Sequence, residues 1–376
     1  STLCPCSLSV FYMLSRVEFR PVFAILAYYS PLHLQWQPAC SDRDITAGDQ
    51  RFGSSDRPER NGKRTSLMAE HRRPKNVIWF LCDQLRYDCM GFNGDRIART
   101  PNLDRLAAEG MVFDNMFVQF PACMPSRGSM ITGRYPSTIR MSHGSPFLDP
   151  REITLPEILQ RNGFRTGMFG KLHLTPQLYT AETLQSDKPI CDATPFLADT
   201  ALPAIPDDPC KKNYGFEEVV GCEDRLWGEY RGWLKERRPD LLEIANRPGL
   251  AYVDKDFPGK SMGAVGKSRI PPEYHNSTFT AAAAVDYFNR THRGQNCFMQ
   301  VSFIDPHHPW DPPAEIAEHY PPEDMPLPPC RDMGEIEIPQ TLRDKKMFGK
   351  FDDVTPEMAR TVVAYNYAMV ELIDTN

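Results

Sequence analysis

Cys123 opens a short run, Cys123-Met124-Pro125-Ser126-Arg127, and Thr132-Gly133-Arg134 follows soon after. Pro125 is a favoured first-turn residue and Gly133 a favoured stop, so the stretch between them reads as a short helix. Cys123 then sits at the helix N-terminus, where free backbone N–H groups and the positive dipole end attract a tetrahedral anion. Arg127, four residues on, shares that face and can give a sulfate or phosphate a bidentate contact. A lone cysteine reads as a small core hydrophobe. The proline, arginine and glycine at these spacings are what point to chemistry on an anion.

Three other stretches place polar residues where apolar runs end. Lys171 and His173 lie two apart in Gly170-Lys171-Leu172-His173, so on an extended strand both point to the same side. A cation and an imidazole on one face suit a site that holds an anion and moves a proton. Asn76-Val77-Ile78-Trp79-Phe80-Leu81-Cys82 is largely apolar and runs into Asp83-Gln84. That is the pattern of a buried parallel strand with ligands at its carboxyl end. Cys297-Phe298-Met299-Gln300-Val301-Ser302-Phe303-Ile304 likewise runs into Asp305-Pro306-His307-His308-Pro309.

Taken together, the C-x-P-S-R-x-x-x-x-T-G-R stretch, G-K-x-H and P-H-x-P resemble the motifs of the type I sulfatases, in family order over about residues 74–376. The resemblance implies that Cys123 is oxidised to formylglycine by a maturation enzyme. It implies that Arg127 and Lys171 stabilise charge on the sulfuryl oxygens, and that His173 takes a proton. His307 would protonate the leaving oxygen, with His308 as the runner-up. Sulfatases commonly carry Asp-Asp after the first strand, holding Ca²⁺; this chain has Asp83-Gln84. A Gln carbonyl oxygen is a legitimate hard ligand for Ca²⁺ or Mn²⁺, so Asp83, Gln84 and the modified Cys123 are the expected metal ligands. The substrate implied is a small-molecule or saccharide sulfate ester. The nearest rival is a phosphonate monoester or phosphodiester hydrolase of the same superfamily, which Gln84 permits and Lys171-x-His173 disfavours. A non-catalytic ligand-binding relative is the rival from another class.

The elements that must carry these residues alternate. Thr100-Pro101 to Gly110 reads as a capped helix, residues 112–120 as a strand delivering Cys123, and Thr154-Leu155-Pro156-Glu157 as a capping box opening a helix that Gly163 ends. A further helix is expected over residues 278–290. A long amphipathic one is expected over residues 355–373, with Met358, Val362, Tyr365, Met369 and Ile373 on one face. Strand, helix, strand, helix predicts an α/β fold: a mostly parallel sheet with helices on both faces, alkaline-phosphatase-like. An irregular insertion is expected over about residues 180–275, where Trp227, Tyr230 and Trp233 either stack on a ligand ring or, as the favoured reading, pack the insertion onto the body. The sulfatase pattern continues into a second metal-ligand pair and a small sheet domain that are not seen here. The expectation is therefore the N-terminal part of a longer protein.

With 376 residues, 41% of them apolar, the chain can bury a large core, and a net charge of −6 gives no sign of a nucleic-acid partner. Eleven cysteines show neither a disulfide framework nor zinc-pair spacing, and read as mostly free thiols in a reducing compartment. Residues 1–67 lack periodicity and read as a non-native or disordered extension, with translation starting at Met68 and residues 68–376 forming the catalytic portion. Such a start leaves no signal peptide, so a cytoplasmic protein is expected. The apolar stretch 21–29 is too short and too closely flanked by charge to make a membrane anchor.

Overall fold

The computed structural model describes residues 11–15, 22–28, 76–141, 147–174, 212–223, 227–245, 253–255, 265–292, 294–328 and 354–376. The polar tract 41–64, Met68 and much of the expected insertion lie outside the described residues.

The sheet is built on four parallel strands, β3 (Asn76–Cys82), β5 (Phe164–Gly170), β6 (Glu218–Glu223) and β10 (Asn296–Phe303). Of these the central β3 and β10 are largely apolar, as strands covered on both faces require. β10 lies centrally between β3 and β5, and β6 follows β5. Two N-terminal strands fall within the stretch read as lacking periodicity: β1 (Phe11–Ser15), antiparallel to β3, and β2 (Val22–Tyr28), antiparallel to β1. Both are rich in aromatic and aliphatic residues that suit a pleated surface. β4 (Met111–Met116) pairs parallel with β2, and β7 (Trp227–Gly228) pairs antiparallel with β6. The full order is β4-β2-β1-β3-β10-β5-β6-β7, with β8 (Val253–Lys255) and β9 (Gly266–Ser268) forming a separate pair.

Side-chain alternation on the strands feeds the two largest of the four apolar clusters among the described residues. Phe169, Met299, Val301 and Phe303 pack with Tyr287 and with Ala364, Ala368 and Leu372. Those partners belong to helices Asn276–Thr291 and Pro356–Thr375. Met168, Phe298 and Val77 pack instead with Ile131, Leu155 and Leu159, from helices α2 (Cys123–Thr132) and α3 (Leu155–Arg161). Helices therefore cover both faces, as the alternating pattern predicts.

The register matters most for function. Phe303 pairs with Cys82, Ser302 with Gly170, and Gly170 with Gly221. The carboxyl ends of β3, β10, β5 and β6 therefore finish side by side at one edge of the sheet. Helix Pro101–Glu109 forms as predicted, but Thr100 does not cap it through its side chain. Its hydroxyl instead donates to Asp104 Oδ1 and accepts from Gly91 N–H, each at 2.9 Å. Thr154 does cap α3, accepting from Glu157 N–H at 3.3 Å. Tyr230 is fully buried and Trp233 packs against Tyr230, Tyr274 and Phe279, so this pair serves packing, as favoured for the insertion. Among the described residues no helix is long and apolar enough to cross a membrane.

Candidate active site

Asp83 leaves β3 with its backbone N–H still bonded to Phe303 O (3.2 Å), and the chain turns at Gln84, a buried residue in left-handed backbone at φ 62°. Asp83 is 1% exposed. Two cations converge on its Oδ2: Lys171 Nζ at 2.7 Å and Arg127 Nη2 at 3.2 Å. Lys171 is itself fully buried and Arg127 is 3% exposed. Burial alone would push the Asp83 carboxyl up; the Lys171 and Arg127 charges, with His307, outweigh it and hold the group well below the usual carboxylate range.

α2 starts at Cys123 after the extended Ala122 and stops at Gly133, whose φ of 68° is the left-handed cap expected of glycine. Arg127 is turned into the protein. It donates to Lys171 O (2.5 Å), Ser302 Oγ (2.9 Å) and Asp83, and so ties α2 to the ends of β5, β10 and β3. Cys123 is half-buried beside this lattice. Its sulfur, an Asp83 carboxylate oxygen and a His307 ring nitrogen all lie within 4.8 Å of one another. His307 follows Asp305-Pro306 beyond β10 and is half-buried. His308 is exposed, its ring stacked on that of His307 (4.1 Å) and tilted against Trp310 (5.9 Å). The geometry thus separates the two histidines.

The placement of Lys171 and His173 differs from the strand-parity expectation. β5 ends at Gly170, whose φ is 92°, and His173 is left-handed at φ 51°. A side chain at Gly170 would put its Cβ 2.0 Å from Ser302 O, so only glycine lets β5 close on β10 and release Lys171 toward Asp83. Residues 171–174 are thus an irregular segment. Its main chain is held by Lys171 N–H to Ser302 O (2.9 Å) and by Leu172 and His173 N–H to Glu223 Oε1 (2.9 Å each). Ser302 and Glu223 were not among the predicted site residues. The signal that could have found them is the one that flagged Asp83: a polar residue at the carboxyl end of an apolar strand.

The donor set can take a divalent cation. Asp83 Oδ1 is buried and accepts no hydrogen bond among the described residues, while Oδ2 is taken by both cations. An ionised, buried carboxylate with one oxygen unbonded, within 4.8 Å of a thiol and an imidazole, suits a ligand position. Asp83, Gln84 and Cys123 could hold the ion, and His307 lies within the same cluster. A second buried carboxylate, Asp305, lies two residues before His307. Buried Asp305 accepts from Ser277 Oγ and lies 3.6 Å from His275 Nδ1, its carboxyl pushed up by burial.

Comparison with known proteins agrees with this arrangement. The family model described as Sulfatase matches residues 75–374. An arylsulfatase of Clostridium perfringens is 27% identical over 258 residues, covering 67% of this chain and 47% of that protein. The N-acetylgalactosamine-6-sulfatase of Mus musculus is 36% identical over 257 residues, covering 64% of this chain and 41% of that protein. The chain thus spans less than half the length of these relatives. The crystal structure of the phosphonate monoester hydrolase of Agrobacterium radiobacter superposes with a TM-score of 0.56 at 22% identity, over 77% of this chain and 55% of that one. That match speaks to the fold alone, a mostly parallel α/β sheet with helices on both faces. A cysteine-led helix, a buried aspartate with two cations, and a family match over most of the described sheet leave one assignment: this chain belongs to the sulfatase family.

Proposed function

We propose that the protein is a sulfuric ester hydrolase that releases inorganic sulfate from an aryl or saccharide sulfate ester, with Cys123 carrying the nucleophile after conversion to formylglycine. The convergence of Asp83, Cys123 and His307 within 4.8 Å, beside two buried cations, is the observation that carries this reading. A separate maturation enzyme would make the aldehyde; hydrated, it offers one hydroxyl to attack sulfur and a second whose deprotonation frees sulfate. A divalent cation, Ca²⁺ or alternatively Mn²⁺, held by Asp83, Gln84 and residue 123, would supply Lewis acidity to that hydroxyl.

The chain's own residues divide the remaining work. Lys171 and Arg127 keep Asp83 ionised, and their positive field favours the charge that develops on the sulfuryl oxygens. His307, at the open side of the cluster, is the donor to the leaving oxygen. His173 is the acceptor of the proton lost in the second step. Among the described residues, the buried free thiols Cys82, Cys89 and Cys297 support a reducing, cytoplasmic setting.

The runner-up is phosphonate monoester hydrolysis, favoured by Gln84, which lowers the negative charge available to the cation. Two measurements on the full-length protein, produced with its maturation enzyme, separate the readings. Mass analysis of the peptide bearing residue 123 is expected to show the aldehyde; an unmodified thiol would support a binding module instead. Aryl sulfate is expected to turn over faster than the matching aryl phosphonate, and the reverse order would install the runner-up.

A further inference from the structure

Glu223 ends β6 and is 3% exposed. One of its oxygens, Oε1, accepts from two consecutive backbone N–H groups, those of Leu172 and His173, at 2.9 Å each. Successive N–H groups beside a left-handed residue form a concave anion site, and His173 is left-handed at φ 51°. In this protein a side chain from the neighbouring strand fills that concavity.

The register explains why a side chain is needed. Gly170 pairs with Gly221, so Leu172 lies level with Glu223, two residues further along each chain. The main-chain ladder has already stopped at Gly170. The Glu223 carboxylate takes over where the ladder ends, on the β6 side. On the other side Ser302 O accepts from Lys171 N–H (2.9 Å), and Arg127 Nη1 donates to Lys171 O (2.5 Å). Residues 171–173 are thereby gripped from three directions, and only in that pose does Lys171 Nζ stand 2.7 Å from Asp83 Oδ2.

We propose that Glu223 is a positioning residue of the reaction centre, its carboxylate fixing the Leu172–His173 main chain and through it the Lys171 ammonium and the His173 imidazole. The proposal rests on the reading of Lys171 and His173 as reaction groups. Glu223 acts through them and itself touches no reacting atom.

The test uses Glu223→Ala and Glu223→Gln in the full-length protein, with hydrogen exchange at Leu172 and His173 and with kcat and KM on 4-nitrophenyl sulfate. In Glu223→Ala the two amides lose protection. A displacement of about 1 Å at Lys171 and His173 lowers kcat about 10- to 100-fold, with KM within about threefold of wild type. Glu223→Gln keeps a side-chain oxygen where both N–H groups point, so it retains the protection and most of the kcat. Should Glu223→Ala fail to fold, Glu223→Asp, one methylene shorter, is expected to lose kcat and protection where Glu223→Gln keeps both. Unchanged protection in the Ala variant (or the Asp variant in its place) overturns the proposal, as does a variant that loses thermal stability while kcat stays intact. A wild-type protein that releases no sulfate refutes the sulfatase reading separately, and the exchange result still decides whether Glu223 holds the segment.

Discussion

Gly170 and Gly94 form a matched pair that isolates one contact at the site. Their φ angles are 92° and 93°, so alanine at either position meets a positive-φ penalty of about 1–3 kcal/mol. At Gly94 nothing lies within 4 Å of the added Cβ, whereas at Gly170 it would meet Ser302 O at 2.0 Å and Thr280 Cγ2 at 2.9 Å. Real Cβ atoms essentially never come closer than 3.0 Å, so β5 and β10 must part there by about 1 Å. Overpacking of this kind costs about 1–3 kcal/mol, and losing the Lys171 N–H to Ser302 O bond adds about 1 kcal/mol. Gly170→Ala should therefore be less stable than Gly94→Ala by about 2–4 kcal/mol. Urea titration of both full-length variants reads this directly from the midpoints at constant slope. Turnover measured below the transition should fall about 100-fold in Gly170→Ala alone, because Lys171 is carried with the strand end. Equal midpoints for the two variants would refute the close approach of β5 to β10 and the argument built on it.

Asp83→Asn leaves Lys171 and Arg127 buried with one anion fewer, and should cost about 3–5 kcal/mol of stability together with turnover; a thermal scan beside an activity assay checks both. His307→Gln should lower kcat at least about 100-fold, whereas His308→Gln, altering an exposed ring, should stay within about threefold in the same assay. Trp233→Ala removes packing against Tyr230, Tyr274 and Phe279 and should cost about 2–3 kcal/mol, with KM for aryl sulfate unchanged; a raised KM would mean that the ring meets substrate.

Much of the site was legible because its residues fall at the ends of strands and at the start of a helix, positions that sequence punctuation marks. Pro125 and Gly133 bracket α2, and the apolar runs before Asp83 and Asp305 are the central strands β3 and β10. The pairing of Lys171 with His173 was read from strand parity and has another cause. Gly170 breaks β5, and the segment beyond it is shaped by contacts 50 and 51 residues away, from Glu223. Arg127 shows the same limit. Its spacing from Cys123 pointed to a substrate anion and gave no sign of the partners its Nη1 and Nη2 have in the structure, Asp83, Ser302 and Lys171 O. Long-range partners of this sort leave no periodicity in the sequence. Strands β1 and β2 lie upstream of the motif-bearing region, in a stretch that carries no motif to point to them.

The central claim is that residue 123 is the nucleophile of a sulfate ester hydrolase. Inorganic sulfate released from 4-nitrophenyl sulfate, measured for full-length wild-type protein and for Cys123→Ala produced with the maturation enzyme, tests it most directly. The structure gives the substitution little to disturb, since α2 is bounded by Ala122 and Gly133 and Cys123 is only half-buried. Wild-type protein should release sulfate over many turnovers, and the folded Cys123→Ala protein should release none. Sustained release by Cys123→Ala would contradict the account.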